Sequence, residues 1–218
     1  MRTAFPLEAI GDRPWVPLRP DGAVECIELN LDRDSGARTR LLRSQPRPII
    51  EHKTQSHVGE EEFLVLEGRF TFDGEPWFEP GSYVRLPPST PHGSRVEVPQ
   101  GYLLYLRTTE RSAADVGSSG LLVTAALNGL EPGANRLLRA ASGRPDRVET
   151  RHVHAGMPVF LPSDPLPREV LLLRGSVRAT MVEEIAAPAY GFVVDEPPCA
   201  DWIAASDALL LLHLGSWP

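Results

Sequence analysis

The chain has 218 residues, enough for one large domain or two of about 100 residues each. With 22 basic against 29 acidic residues its net charge is −7, which argues against holding a nucleic-acid backbone, and no basic run suggests a nucleic-acid or membrane patch. No apolar run approaches the ~18 residues of a membrane span, and the opening MRTAFPLEAIGDRPW lacks the apolar stretch of a signal peptide, so a cytoplasmic location is expected.

The 22 prolines and 18 glycines fall between short apolar runs, a pattern of many short strands separated by turns. In chain order, strands are predicted at ECIELNL (25–31), TRLLR (39–43), EFLVLEG (62–68), RFTF (69–72, before a DGEP turn), SYVRLP (82–87) and GYLLYLR (101–107). Residues 113–130 are the best candidate for a helix or a mixed connection. The second half offers VETRHVH (148–154), EVLLLRG (169–175), SVRATMV (176–182), GFVVDEP (191–197) and ALLLLHLG (208–215). Cys26 and Cys199 form no CxxC pair and read as small hydrophobic residues.

The halves repeat weakly. EFLVLEGRF lines up with EVLLLRGSV, placing Gly68 over Gly175. GSYVRLPPSTPH lines up with GFVVDEPPCADW, placing Gly81 over Gly191. Two copies of one all-β unit, residues 1–110 and 111–218, account for this most simply. Units of short antiparallel strands close into barrels or jelly rolls to avoid exposed edges.

The residues with the clearest chemistry lie in TQSHVGEEEFLVLEG (54–68) and GSYVRLPPSTPH (81–92). Residues two apart on a strand share a face, so Gln55 and His57 point together. Glu61 follows a short turn at the start of the next strand, and His92 comes after the Pro-rich bend on a third. In a small barrel such strands can converge. Two imidazoles and a carboxylate in a mostly apolar cavity make a site for Zn, Fe, Mn, Co or Ni. Glu60 and Glu62 read as a solvated acidic turn flanking Glu61, and Tyr83, Arg85, Phe63, Val65, Tyr105 and Arg107 as either pocket lining or strand surface. His213 and Trp217 read as packing or surface residues.

These two stretches resemble the cupin motifs. The first gives His57, three residues, Glu61, six residues, Gly68; the second gives Gly81, five residues, Pro87, then Ser89 in the usual glycine place and His92. The first histidine of the family's H-x-H is Gln55 here, a neutral, weaker donor that could coordinate, hold a water or only line the pocket; His52 falls on the wrong side of the strand to replace it. Trp15 and Pro17, TRLLR, HVGEEEFLVLEGRF and EPGSYVRLPPSTPH make the likeness greatest to the ChrR-type group, over residues 12–107. The resemblance implies an all-β fold of two cupin (jelly-roll, RmlC-like) barrels in tandem, with metal ligands His57, Glu61 and His92, and Gln55 beside them. The implied ion is zinc first, with Fe(II), Mn or Ni as alternatives. The ChrR-type zinc motif that grips a sigma factor is absent from the sequence, so that direct role does not carry over.

The second barrel is expected to be degenerate. Alignment on Gly175 sets Arg168, Asp164 and Pro162 at the places of Glu61, His57 and Gln55; alignment on Gly191 sets Trp202 at that of His92. The HVH at His152–His154 sits ten residues too early and reads as a structural pair. Two functions are in view: a regulatory metal-binding cupin that senses a small molecule or oxidant and contacts a protein partner, or a non-haem dioxygenase cleaving a small diketone. A third, weaker reading is a ligand-binding barrel without chemistry. A small-molecule ligand in the first barrel is expected in either of the first two, a homodimer is a further expectation, and neither nucleic acid nor membrane is expected as a partner.

Overall fold

The computed structural model describes residues 7–51, 56–74, 76–109, 122–125, 127, 129–140, 147–161, 167–179, 184–192 and 202–214. These form strands and, among the described residues, no helix; none of the sheets closes on itself. The chain divides into two compact units. One runs from Pro14 to Asn128; the other combines the chain before Pro14 with the chain from Gly129 on. The strand β1 (Leu7–Ala9) therefore belongs with the C-terminal unit, where it pairs with a strand near residue 190.

The first unit contains β2 (Val16–Pro17), β3 (Val24–Leu31), β4 (Arg38–Ser44), β5 (Arg47–Glu51), β6 (Glu61–Gly68), β7 (Phe70–Phe72), β8 (Trp77–Phe78), β9 (Ser82–Leu86), β10 (Arg95–Val98), β11 (Tyr102–Thr108) and β12 (Leu122–Ala125). Seven of them form an antiparallel sheet in the order β12-β9-β6-β11-β4-β3-β2, and four form a smaller sheet, β5-β10-β7-β8. Both sheets feed one core. Phe63, Val65, Val84, Leu104 and Leu42 from the large sheet meet Phe70, Phe78, Val96, Val98 and Ile50 from the small one. The alternation of β6 explains this, since Glu61, Phe63 and Val65 share its inner face.

The helix or mixed connection expected over 113–130 is corrected in part: Leu122–Ala125 is a strand that extends the large sheet beside β9. Four β-favouring or small residues, LVTA, suffice to pair with an existing edge, which supplies the hydrogen bonds a lone segment would lack. Residues 113–121 lie outside the described residues.

The second unit contains β13 (Asn135–Ala140), β14 (Arg147–Val153), β15 (Pro167–Arg174), β16 (Ser176–Ala179), β17 (Ile185–Ala186), β18 (Ala189–Phe192), β19 (Trp202–Ala204) and β20 (Ala208–Leu214). Its larger sheet runs β1-β18-β15-β20-β14-β13 and its smaller one β17-β16-β19. Val170, Leu172, Leu210 and Leu212 pack with Val177, Trp202 and Ala204.

The repeat seen in the sequence has a structural counterpart at its first anchor. Gly68 and Gly175 each end the central strand of a large sheet with positive φ (70° and 81°). A Cβ on either would lie 2.1 Å from a carbonyl oxygen, that of Gly101 or Asp207 respectively. The second anchor is corrected. In the first unit Phe63 faces Val84 and Leu64 faces Tyr83; in the second, Val170 faces Gly191 and Leu171 faces Tyr190. Gly191 thus matches Val84 rather than Gly81, and the register of Gly68 over Gly175 continues through these strands. The Gly–Pro–Pro spacing misled because a short run of turn residues aligns equally well three positions away. Trp202 is a buried core residue of the second unit, not the counterpart of His92. Pro162, Asp164, the Arg168 side chain, Cys199 and Trp217 lie outside the described residues.

Gly68→Ala should destabilise the protein by on the order of 3 kcal/mol, since neither the φ nor the space admits a Cβ. Chemical denaturation of the variant against the parent checks this.

Candidate metal centre

Glu61 opens β6 and pairs with Leu86 of β9 on one side and Thr108 of β11 on the other, so its position is fixed from both flanks. Its side chain points inward, in line with Phe63. His57 precedes β6 on a short loop, four residues before Glu61, and His92 follows β9 after the bend at Pro87–Thr90. The two loops are joined: the Ser89 amide donates to the His57 carbonyl at 2.7 Å, and the Thr90 amide donates to the Pro87 carbonyl at 3.2 Å. Ser89 achieves this with φ of 60°, the left-handed conformation that a glycine would take without strain.

These elements bring together three of the four residues expected to meet. His57 Nε2 lies 3.0 Å from Glu61 Oε2, and His92 Nε2 lies 3.5 Å from Glu61 Oε1. One donor atom from each residue falls within 4.8 Å of the others. Neighbouring ligands around a tetrahedral or octahedral ion with bonds of ~2.0–2.1 Å are roughly 2.8–3.4 Å apart, close to the two Glu61 contacts of 3.0 and 3.5 Å. Glu61 and His92 are buried, while His57 keeps about a third of its side chain (35%) exposed at the entrance. Gln55 and His52 lie outside the described residues.

The His92 ring is held in a defined state. Its Nδ1 is 2.9 Å from the Thr90 carbonyl, which can only accept, so Nδ1 carries the proton. With the Nδ1 proton as the ring's only one, the Nε2 lone pair faces a carboxylate oxygen. Two lone pairs at that separation repel unless a cation lies between them, either a proton on Nε2 or a metal ion shared with Glu61 and His57. A buried imidazole fixed through its other nitrogen by a backbone carbonyl is the usual support of a metal-binding histidine. Among the described residues no other group of His, Cys, Asp or Glu is placed to hold an ion.

The centre lies on a cavity of about 600 Å³. Phe63, Phe70, Leu42 and Leu104 give it apolar walls, and Arg19, Arg38 and Arg40 also line it. Phe72 stacks at a tilt against His92, with ring centres 5.3 Å apart. Tyr102 lines the same space; burial raises the pKa of its hydroxyl well above that of a free phenol, so it stays a neutral donor.

The solvated reading of Glu60 and Glu62 is overturned. Both are fully buried, with Glu60 against Arg85 (2.6 Å) and Glu62 against Arg107 (3.4 Å). Arg85 and Arg107 are buried with them, as are Tyr83 and Tyr105, on the sheet face opposite the cavity. Of that ambiguous group, only Phe63 lines the cavity. An acidic triplet at a strand start looks solvated because nothing local announces cationic partners 25 and 45 residues away.

In the second unit His152 is buried, with Nδ1 on the Leu130 carbonyl (2.9 Å) and Nε2 beside Arg174 (3.2 Å). Both ring nitrogens are thus engaged by groups that no metal could share, in keeping with a structural role. His213 is buried as well.

Residues 7–111 match the family model of the ChrR cupin-like domain. Across the whole chain, solved structures share the architecture. The chain is similar to the Escherichia coli pirin YhhW in complex with nickel(II), at 12% identity and a TM-score of 0.68 over 97% of this chain and 99% of that one. It is also similar to Streptomyces albus HEPD with 2-hydroxyethylphosphonate and Fe(II) bound, at 10% identity and a TM-score of 0.64 over 98% and 76% of the two chains. This chain has the cupin fold. A third cupin-fold neighbour, from Nostoc punctiforme and provisionally described as a dioxygenase, is 15% identical with a TM-score of 0.69 over 97% and 82% of the chains. No curated protein matches the sequence. In this fold the three motif residues His57, Glu61 and His92 converge on one point.

Ser89→Gly should stabilise the protein by about 0.5–1 kcal/mol, because the glycine removes strain from an exposed residue and keeps the amide bond to His57. Thermal unfolding checks this.

Proposed function

We propose that the chain is a metal-binding cupin that holds one divalent ion through His57, Glu61 and His92 and takes a small molecule into the adjoining cavity. The observation that carries this reading is the Nε2 of His92, fixed by Thr90 and aimed at the Glu61 carboxylate with His57 beside it. A bound divalent ion would supply a Lewis acid with positions open toward the cavity. Zinc comes first, because two imidazoles and a carboxylate suit it, with iron, manganese and nickel as the alternatives. Gln55 is proposed as an adjacent donor or pocket residue.

The match of residues 7–111 to the ChrR cupin-like domain supports a regulatory role, in which a small molecule or oxidant alters the centre and the signal passes to a protein partner. The similar sheet orders of the two units and their shared glycine anchor support the second as a further cupin barrel, read as degenerate because the sequence sets Arg168 and Asp164 at the places of Glu61 and His57. A second reading, a non-haem dioxygenase acting on a small diketone-like substrate, is supported by the cavity that adjoins a two-imidazole, one-carboxylate set.

Elemental analysis of the purified protein, followed by oxygen-uptake assays on a panel of diketones, separates the two. Zinc without oxygen uptake is the expected result; iron with substrate-dependent uptake would replace the sensor with the enzyme. The double substitution His57→Ala and Glu61→Ala should reduce metal content to background while circular dichroism still reports a folded β protein. Stoichiometric metal in that variant would refute the site.

A further inference from the structure

Arginines outnumber carboxylates in the described lining of the cavity, although the protein as a whole carries a net charge of −7. Three arginines line the cavity, and among the described residues Glu61 is the one acidic residue of the lining, before any metal charge is counted. The three arginines differ in how they are engaged. Arg40 pairs with Glu28 at 2.9 Å, and Arg19 lies 3.5 Å from Asp21. Arg38 has no carboxylate within ion-pair distance among the described residues; its Nε donates to the Gly36 carbonyl at 3.1 Å, which leaves the terminal nitrogens of the fork for another acceptor.

The sheet register fixes where Arg38 stands. Thr108 of β11 pairs with Glu61 on one side and with Arg38 of β4 on the other. Arg38 is therefore in the same cross-strand row as Glu61, two strands away, or about 10 Å at the usual strand spacing. Both residues line the same cavity, with Thr108 between them in the row and Phe63, Leu104 and Leu106 among its apolar lining.

We propose that Arg38 is an anion-anchoring residue and that the cavity takes a small organic acid. The carboxylate lies on the Arg38 guanidinium, the apolar body rests against the phenylalanine and leucine walls, and a second oxygen function faces the His57–Glu61–His92 centre. This rests on reading those three residues as a metal centre. A planar fork suits a carboxylate in two-point contact, and a half-buried setting strengthens the bond. The cavity volume is ordinary for a small-molecule ligand.

The test crosses two probes with two proteins. Adipate has a carboxylate at each end; hexanoate has the same chain length with one. Calorimetric titration of the metal-supplemented protein should show adipate binding about tenfold or more tightly than hexanoate. Because the lone carboxylate of hexanoate goes to the doubly charged centre and leaves Arg38 unused, Arg38→Gln should lower adipate affinity by about the same factor and change hexanoate affinity less than about twofold, and Arg38→Lys should restore part of the loss. Equal affinities in the parent, an undiminished preference in Arg38→Gln, or no adipate binding would each overturn the proposal. Metal content measured on the same samples separates the two ideas. Metal bound at one per chain with no dependence on Arg38 removes the anchor and keeps the centre, while Arg38-dependent adipate binding in a chain that takes up no metal keeps the anchor and removes the centre.

Discussion

Glu61 is the point on which the first unit turns. It is the only member of the donor set carried on a regular strand, and that strand is paired on both sides, with Leu86 and Thr108 as its immediate neighbours. The two histidines come to it on loops and are held by short-range devices: the Ser89–His57 amide bond joins the loops, and the Thr90 carbonyl fixes the His92 ring. The carboxylate thus faces two imidazoles at 3.0 and 3.5 Å, distances that a shared metal ion or a proton on the facing nitrogen makes favourable. Packing beneath them is dense and aromatic, with Phe63, Phe70, Phe72 and Phe78 in mutual contact, so the site rests on a floor that does not readily yield.

Three consecutive glutamates at residues 60–62 meet three different fates. The outer two are buried against Arg85 and Arg107, each charge answered by an opposite charge in the same sheet. Burying such pairs gains little net stability, since desolvation offsets the attraction, but removing one partner leaves a buried charge and is costly. Their effect on function is indirect. They settle the acidic residues on either side, and Glu61 alone is left to serve the imidazoles. Among the described residues that line the cavity, three arginines stand with one carboxylate, and two of the three pair with Asp21 and Glu28.

Much of this was legible in the sequence because period and spacing carry it. Alternating apolar runs bounded by Gly and Pro located β3, β4, β6, β7, β9 and β11 in the first unit and β14, β15, β16, part of β18 and β20 in the second, but not the mostly shorter strands β1, β2, β5, β8, β10, β12, β13, β17 and β19; the interval from His57 through Glu61 to Gly68 reflects a loop, a strand face and a left-handed turn that admits no side chain. Long-range pairing was not legible. Nothing near Glu60 or Glu62 in the chain predicts arginines from β9 and β11, so the triplet looked solvated. The strand at Leu122–Ala125 draws its stability from the edge of β9 rather than from its own four residues. Likewise β1 joins the C-terminal unit through pairing with β18, a contact between the two ends of the chain that no local pattern encodes. The Gly191 register failed for a related reason, since turn residues repeat too readily to fix an alignment that strand pairing fixes without ambiguity.

X-ray absorption at the metal edge of the protein as isolated reads the centre most directly. The predicted spectrum has nitrogen and oxygen neighbours at about 2.0–2.1 Å with the outer-shell scattering of two imidazoles. A sulfur shell, fewer than two imidazoles, or a protein that takes up no metal at all would contradict the assignment of His57, Glu61 and His92.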